Sequence, residues 1–274
     1  MKNKLLVILL FLTFSCQNKN ENTTTGNPFV SLAMTSSSAN ATVARFKKTI
    51  WDLIIPKSYA FPPPATLLDS VGNTIVIQNI WVNFGQIEFK ADEVASGSEV
   101  DGDDIEFNST YAIDLLSNTP QTFASGQINL NGLRRIKIKL TKTLSLPSGA
   151  PSGFLGKSIY ISGTVNGHSF SYSTQDESVV EIAGPQLVTA VENKTILLEL
   201  QTANLIKKMN LSAITATTNI DDSNRVSFAN PCSQIDNSST DLFNCFYKGF
   251  EKESNIGRDD DGDFQLDPNE DKVK

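Results

Sequence analysis

The sequence predicts an all-β protein: an antiparallel β-sandwich with one amino-terminal amphipathic helix and a short helical, disulfide-linked carboxy-terminal tail. Three observations lead there. From Phe29 to about Phe228, apolar and polar residues alternate with a period of two in short segments rich in Val, Ile, Thr, Phe and Tyr. Gly, Asn, Ser, Pro and Asp punctuate those segments. The helical stretches that a parallel α/β fold would need between its strands are missing. With 274 residues, 39% of them hydrophobic, the chain has material for one or two domains with a real core.

The chain opens Met1-Lys2-Asn3-Lys4, two positive charges, followed by an uncharged run from Leu5 to Phe14. That is a signal-peptide pattern over residues 1–15, and the run is short of the roughly 20 apolar residues that a membrane-spanning helix needs. Cys16 stands directly after it, with small Ser15 before it and Leu12 four residues before it. This arrangement resembles the lipobox of bacterial lipoproteins. The resemblance implies acylation of the Cys16 thiol, removal of residues 1–15 and acylation of the new amino terminus, which together give stable anchoring to a membrane. Gln17 follows the cysteine in place of the Asp that retains such proteins at the inner membrane, so resemblance to bacterial sorting points to the cell envelope and its outer membrane.

Residues Gln17 to Asn27 include no apolar side chain. They cannot offset the entropy of ordering, and residues 16–27 are read as a lipidated flexible tether. A helix is predicted from Asn40 to Ile55, where Val43, Phe46, Ile50 and Ile54 recur at spacings of three and four, with Asn40 or Thr42 as cap. It stops at Pro56, and Ala60-Phe61-Pro62-Pro63-Pro64 makes an extended connector.

Strands are then predicted at Ile75 to Ile77, Trp81 to Lys90, Ile105 to Leu116, Gln127 to Leu130 and Arg135 to Leu140. Ser158 to Val165 meets Ser169 to Tyr172 across Asn166-Gly167, the strongest hairpin signal in the chain. Val179 to Ile182, Thr195 to Leu200 and Arg225 to Phe228 complete the set. A single helical turn is expected from Asn204 to Met209, and a helix from Ser239 to Lys252 around Cys245. The sandwich domain thus spans residues 28–230 and the tail residues 231–274.

The order of elements resembles a family of bacterial lipoprotein domains of unknown function built as β-sandwiches. The matching pieces are Trp81 to Lys90, Tyr111 to Leu116, Arg134 to Leu140, and Thr195 to Leu200 followed by Asn204-Leu205-Ile206, within residues 70–210. What the resemblance implies is the fold alone, with no activity attached.

Loss of Lys2 and Lys4 from 23 basic residues, with 30 acidic ones kept, takes the formal charge from −7 to about −9. Nucleic acid is excluded as a partner on that ground. With Cys16 lipidated, Cys232 and Cys245 remain as a pair in an oxidising compartment, where a disulfide is expected. These two cysteines and the lone His168 cannot supply a structural zinc site.

The one motif that carries chemistry is Asp259-Asp260-Asp261-Gly262-Asp263-Phe264-Gln265-Leu266-Asp267-Pro268-Asn269-Glu270. It resembles the twelve-residue EF-hand calcium loop. Asp259, Asp261, Asp263, Asp267 and Glu270 stand at loop positions one, three, five, nine and twelve, and Gln265 at position seven offers its backbone carbonyl. Leu266 takes position eight, where an apolar residue turns inward. Phe264 replaces the glycine usual at position six, and four residues follow Glu270. A solitary loop of the extracellular affinity class is therefore expected, with calcium as its ion.

Other candidates reduce to scaffold. Glu99-Val100-Asp101-Gly102-Asp103-Asp104 reads as a solvated loop between strands. His168 sits at a hairpin tip without any nucleophile motif elsewhere. Trp51, Trp81 and the tyrosines are expected in packing rather than on a sugar-binding face. The triplets starting at Asn108 and Asn193 are polar loop sequence. The expectation is a non-enzymatic envelope lipoprotein, a binding or structural module with a calcium-binding tail and an unidentified envelope or extracellular ligand. The alternative is an enzyme on envelope or extracellular polymers whose carboxylates are assembled by the fold.

Overall fold

The computed structural model describes residues 29–37, 66–91, 105–117, 121–127, 133–189, 191, 193–262, 266–267 and 269–274. The expected signal peptide, Cys16 with the expected tether, the helix expected over Asn40–Ile55 with Trp51, the Pro-rich connector and the Glu99–Asp104 stretch lie outside them. In chain order the described residues form β1 (Phe29–Ser37), β2 (Thr66–Leu68), β3 (Thr74–Ala91), β4 (Ile105–Asp114), β5 (Gln121–Gln127), β6 (Leu133–Leu140), β7 (Ile159–Val165), β8 (His168–Thr174), β9 (Val179–Val188) and β10 (Thr195–Gln201). Helix α1 (Thr202–Lys207), β11 (Thr218–Ile220), helix α2 (Leu242–Lys252) and β12 (Ser254–Asp259) follow. Two sheets result: one of four strands in the order β12-β10-β1-β5, and one of eight in the order β11-β8-β7-β3-β6-β9, with β2 and β4 also paired to β3.

The spine of the larger sheet is β3, a single strand of 18 residues where the sequence pattern suggests two. Its buried residues change parity twice: Ile75 and Ile77, then Ile80, Val82 and Phe84, then Ile87 and Phe89. A strict period of two would send one of these groups to the opposite face. The register shifts between Ile77 and Asn79 against β7, and between Phe84 and Gln86 against β4 and β6. Each bulge absorbs one residue and returns the apolar set to the core. Trp81 is also buried, with its ring 5.7 Å from that of Phe154, so it belongs to the packing.

The antiparallel expectation holds for most pairings and is corrected for two. β1 lies parallel to β10, with Ser31 opposite Thr195, and β11 lies parallel to β8. The sheets are mixed because these partners are joined by long excursions, and only a short hairpin forces antiparallel pairing. β10 shows what such a position demands: Ile196 to Leu200 are buried without interruption, the signature of a strand covered on both faces.

The hairpin at Asn166-Gly167 forms as expected, with φ of 48° and 86° at the two central residues, the pattern of a type I′ turn. The strand expected over Arg225–Phe228 does not form. Only Ser227 bridges to Asp241, and Val226 takes a φ of 51°, which breaks an extended run. Of the strand expected over Gln127 to Leu130, Gln127 belongs to β5 and the rest lies outside the described residues.

Residues after Pro231 pack into the same body. Asp241 caps α2, its side chain accepting from Asn244 N at 2.7 Å, and the Phe246 ring stacks on Tyr172 at 4.9 Å. Cys232 and Cys245 form the expected disulfide, closing a loop worth about 3 kcal/mol in the chain-entropy view. Inside that loop Asp236 accepts from Ser238 Oγ at 2.7 Å, Ser238 N at 3.0 Å and Ser239 Oγ at 2.9 Å. Val273 is fully buried in the cluster that also holds Val30 and Phe84. Its N–H donates to Ile256 O, and its carbonyl oxygen sits where a Cβ on Gly184 would stand.

Two predictions follow from these contacts. Gly184→Ala adds a methyl inside the envelope of the Val273 carbonyl and should destabilise by about 1–3 kcal/mol. Without that clash the same change in an extended strand stabilises by about 0.4–1 kcal/mol, so the sign of the shift in urea midpoint decides. The hydroxyl of Ser238, then its N–H and the Ser239 hydroxyl, hold the Asp236 carboxyl at about 2, below the unfolded value of about 3.9. Its contribution is complete above the unfolded value and is lost as pH falls through about 2. Carboxyl chemical shifts should show that low midpoint, and Asp236→Asn should flatten the acid limb of the stability curve.

Candidate metal centre

The acidic loop grows from the end of β12. That strand runs antiparallel to β10, with Asp259 opposite Thr195 and Ser254 opposite Leu200. Asp259 is therefore fixed as a buried strand residue before the chain turns. The turn is made at Gly262, whose φ of 80° favours a residue without Cβ, and whose N–H donates to Asp259 Oδ1 at 2.7 Å.

Glu270 closes the loop from the other side. Its Oε1 accepts from Asp260 N at 2.7 Å and its Oε2 from Asp267 N at 2.8 Å. One carboxylate thus ties the arm that follows β12 to the returning arm. Leu266 is buried with Ala33 and Leu197 on the four-stranded sheet, and its N–H approaches Glu199 Oε1 at 3.4 Å. The inward-facing role expected of loop position eight is filled.

The result brings carboxylate oxygens of Asp259, Asp261 and Glu270 within 4.8 Å of one another. They are loop positions one, three and twelve. Asp267 is placed differently: its side chain is exposed and its part in the loop is the backbone bond to Glu270. Asp263 and Gln265 lie outside the described residues. The loop is introduced by a β-strand, where an EF-hand has a helix.

Two like charges beside Glu270 have a cost that its environment makes visible. Burial is the first cause pushing its carboxyl above the usual range, and Asp259 and Asp261 push the same way, against the lowering effect of the bonds from Asp260 and Asp267. Neighbouring acids are neutralised instead. Arg258 reaches Asp260 at 2.6 Å and Asp271 at 2.9 Å, and donates to Thr189 O at 2.8 Å. Its hydrogen bond is the main cause holding the Asp260 carboxyl below its ordinary value. Lys194 Nζ donates to the carbonyl of Asp260. Cations therefore serve the loop's flanks, and hard oxygen donors crowd its centre. That chemistry suits a divalent cation with oxygen preference, and the cluster carries no nitrogen or sulfur donor for a softer metal.

The flanking partners Arg258, Lys194 and Asp271 were not legible as site residues, since they come from three segments and match no spacing template. Elsewhere, His168 is exposed opposite Val165 in the hairpin. The buried carboxylate of Asp69 is taken up by Val71 N, Asn73 N, Asn73 Nδ2 and Leu211 N, a staple between the β2–β3 turn and the segment after α1. An open groove of about 360 Å³ runs between β4 and β5, and the described residues lining it are Phe107, Tyr111, Thr122, Phe123 and Ser125. They offer aromatic faces and hydroxyls, without the paired carboxylates that glycoside hydrolysis requires.

No family model, curated protein or solved structure matches this chain. Among the described residues, no helix is long and apolar enough to cross a membrane.

Proposed function

We propose that this is a non-enzymatic lipoprotein of the cell envelope, anchored through Cys16 to the outer membrane, acting as a binding or structural module whose carboxy-terminal loop takes calcium. The observation that carries the calcium reading is the convergence of the Asp259, Asp261 and Glu270 carboxylates. Asp263, Asp267 and the carbonyl of Gln265 would complete the oxygen set that calcium requires. The ion would supply charge neutralisation, and the loop would be structural: it secures the returning chain against β10 and β12.

The sandwich reading of the fold is supported by what lies between the sheets. Leu32, Ile196 and Leu198 of the small sheet meet Ile87, Phe89, Ile136 and Ile138 of the large one around a residual void of about 10 Å³. A filled interior of this kind favours a module over an enzyme with an internal cleft. The position of the loop fits the anchor as well. Phe29 opens β1 where Asn193 N donates to its carbonyl, and Ser31, Thr195 and Asp259 lie in one row across three strands. Phe29, the first described residue after the expected tether, therefore lies at the same end as the metal loop.

Calorimetric titration of calcium into the purified protein should give saturable binding with a Kd on the order of 0.1 to 1 mM. At about 10 mM calcium the protein should gain about 1.4 to 2.7 kcal/mol of stability by mass action. Asp261→Ala and Glu270→Ala should abolish both effects, while magnesium substitutes poorly. Absence of heat and of any melting shift would refute the site. Independently, labelled palmitate should be incorporated by cells expressing the protein and lost in Cys16→Ser, and a Cys16→Ser product that still carried label would sink the lipid anchor.

A further inference from the structure

Two glycines clear a channel between the sheets. β9 is the last strand of the eight-stranded sheet and β12 the last of the four-stranded one. A Cβ on Gly184 of β9 would fall on the Val273 carbonyl, and one on Gly257 of β12 would stand 2.8 Å from Asp271 O and 2.5 Å from Leu266 Cδ2. β9 also loses step with its neighbour here. Ala183 lies opposite Arg135 and Val188 opposite Leu133, so residues 184–187 face a single residue of β6 and their backbone is left for another partner.

Residues 271–274 run through that channel and bond to both of its walls. On the β12 side, Arg258 N donates to Asp271 O at 2.8 Å and Val273 N to Ile256 O at 2.9 Å, with Lys272 bridged antiparallel to Gly257. On the β9 side, Gln186 N donates to Val273 O at 3.3 Å. The Val273 side chain is buried in the main core. Beyond it, the Asn255 side chain holds both backbone groups of Lys274 at 3.1 Å. Lys274 Nζ donates to Lys252 O at 3.1 Å and Ser254 O at 2.8 Å, a basic group on the last carbonyls of α2. One short segment thus joins the edge strands of two sheets and the end of a helix. Without it, β9 and β12 would present unpaired backbone groups.

What decides whether this segment stays seated lies directly before it. Ordering four residues costs conformational entropy, and Val273 is the one apolar side chain among them. Glu270 precedes them, its carboxylate bonded to Asp260 N and Asp267 N and crowded by Asp259 and Asp261. Arg258 grips Asp271 at 2.9 Å. No residue of slack separates Glu270 from Asp271, so repulsion that drives Glu270 from the other two carboxylates pulls on the channel segment.

We propose that residues 271–274 are a latch operated by the acidic loop: a divalent cation on Asp259, Asp261 and Glu270 shuts it, and an empty loop lets it open. The latch rests on the calcium reading above and extends it, because it carries the effect of the ion across to the other sheet. An ion that needs all three carboxylates together binds the closed form alone and shifts the population toward it. The coupling is reciprocal, so whatever unseats the latch weakens the ion. The state of the latch then decides whether two sheet edges are covered or open to pairing with another chain.

The test is hydrogen exchange of the purified full chain with calcium and with EDTA, beside calorimetric titration. The amides of Val273, Arg258 and Gln186 supply one donor from the latch and one from each wall. At about 10 mM calcium they should exchange about 10- to 100-fold more slowly, the factor for a Kd of about 0.1 to 1 mM acting on the closed form alone. Asn166 N, which donates to Thr74 O at the β7–β8 hairpin, should be unaffected. Gly184→Ala crowds the Val273 carbonyl from the sheet that carries none of the three carboxylates, and should raise the calcium Kd about fivefold or more. Val273→Ala, which removes the buried side chain of the latch, should act in the same direction and serves in its place should Gly184→Ala not fold. Calcium binding with exchange slowed only within residues 259–270, or with an unchanged Kd in these variants, overturns the latch and leaves the metal site standing. Absence of heat on titration overturns both.

Discussion

The fold depends on keeping one face of β3 apolar over 18 residues. Four other strands take their position from it: β2 and β7 along its first part, β4 and β6 along its second. A twisted strand of that length drifts out of phase with a flat alternation, and each slip would turn a row of isoleucines and phenylalanines to water. The bulges near Gln78 and Gly85 prevent this by inserting a residue where the parity changes. The packing of this face against Leu32 and Leu198 of the four-stranded sheet, across the narrow void, presupposes that correction.

A second constraint acts at the other sheet. β12 has one strongly apolar residue, Ile256, in the sequence Ser254 to Asp259, and little propensity of its own to be a strand. It is held between β10 on one side and residues Asp271 to Val273 on the other. The returning segment in turn relies on Val273 fitting against Gly184, on Arg258 clamping Asp271, and on Glu270 bonding both arms of the acidic loop. Like charge at Asp259, Asp261 and Glu270 works against that closure. A cation there would turn the most repulsive contact in the region into the one that locks it, which is why the loop is best understood together with the strand it terminates.

What the sequence disclosed follows the range of the interactions involved. The Asn166-Gly167 hairpin, the helix around Cys245 and the Cys232–Cys245 pair rest on neighbours within a few residues or on elimination, and each could be read directly, though the Asp241 cap that starts the helix three residues later than expected was not. So could the register of Asp259, Asp261 and Glu270, because the loop carries its own spacing. The parallel pairing of β1 with β10 could not, since nothing in Phe29 to Ser37 names a partner more than a hundred and fifty residues away. β12 was missed because its neighbours, and not its composition, make it a strand. Arg225 to Phe228 failed in the opposite way: its alternation is real, but Arg225 is drawn to Asp241 and Asn244 and lies over the Phe243 ring, and those contacts bend the backbone out of an extended run.

The two ends of the body are built differently. At one, β1 begins beside a loop whose carboxylates crowd together and whose lysine and arginine neighbours pin its margins. At the other, the loop between β6 and β7 is fixed to the body by Phe154. Both are surface features built on rigid strand ends, and neither draws on the packed interior between them. An interior with so little free volume serves best as a spacer of fixed length, because a tightly packed core transmits position without yielding. On the lipoprotein reading proposed above, the strands of the larger sheet would set a fixed distance between the anchored end and the β6–β7 loop.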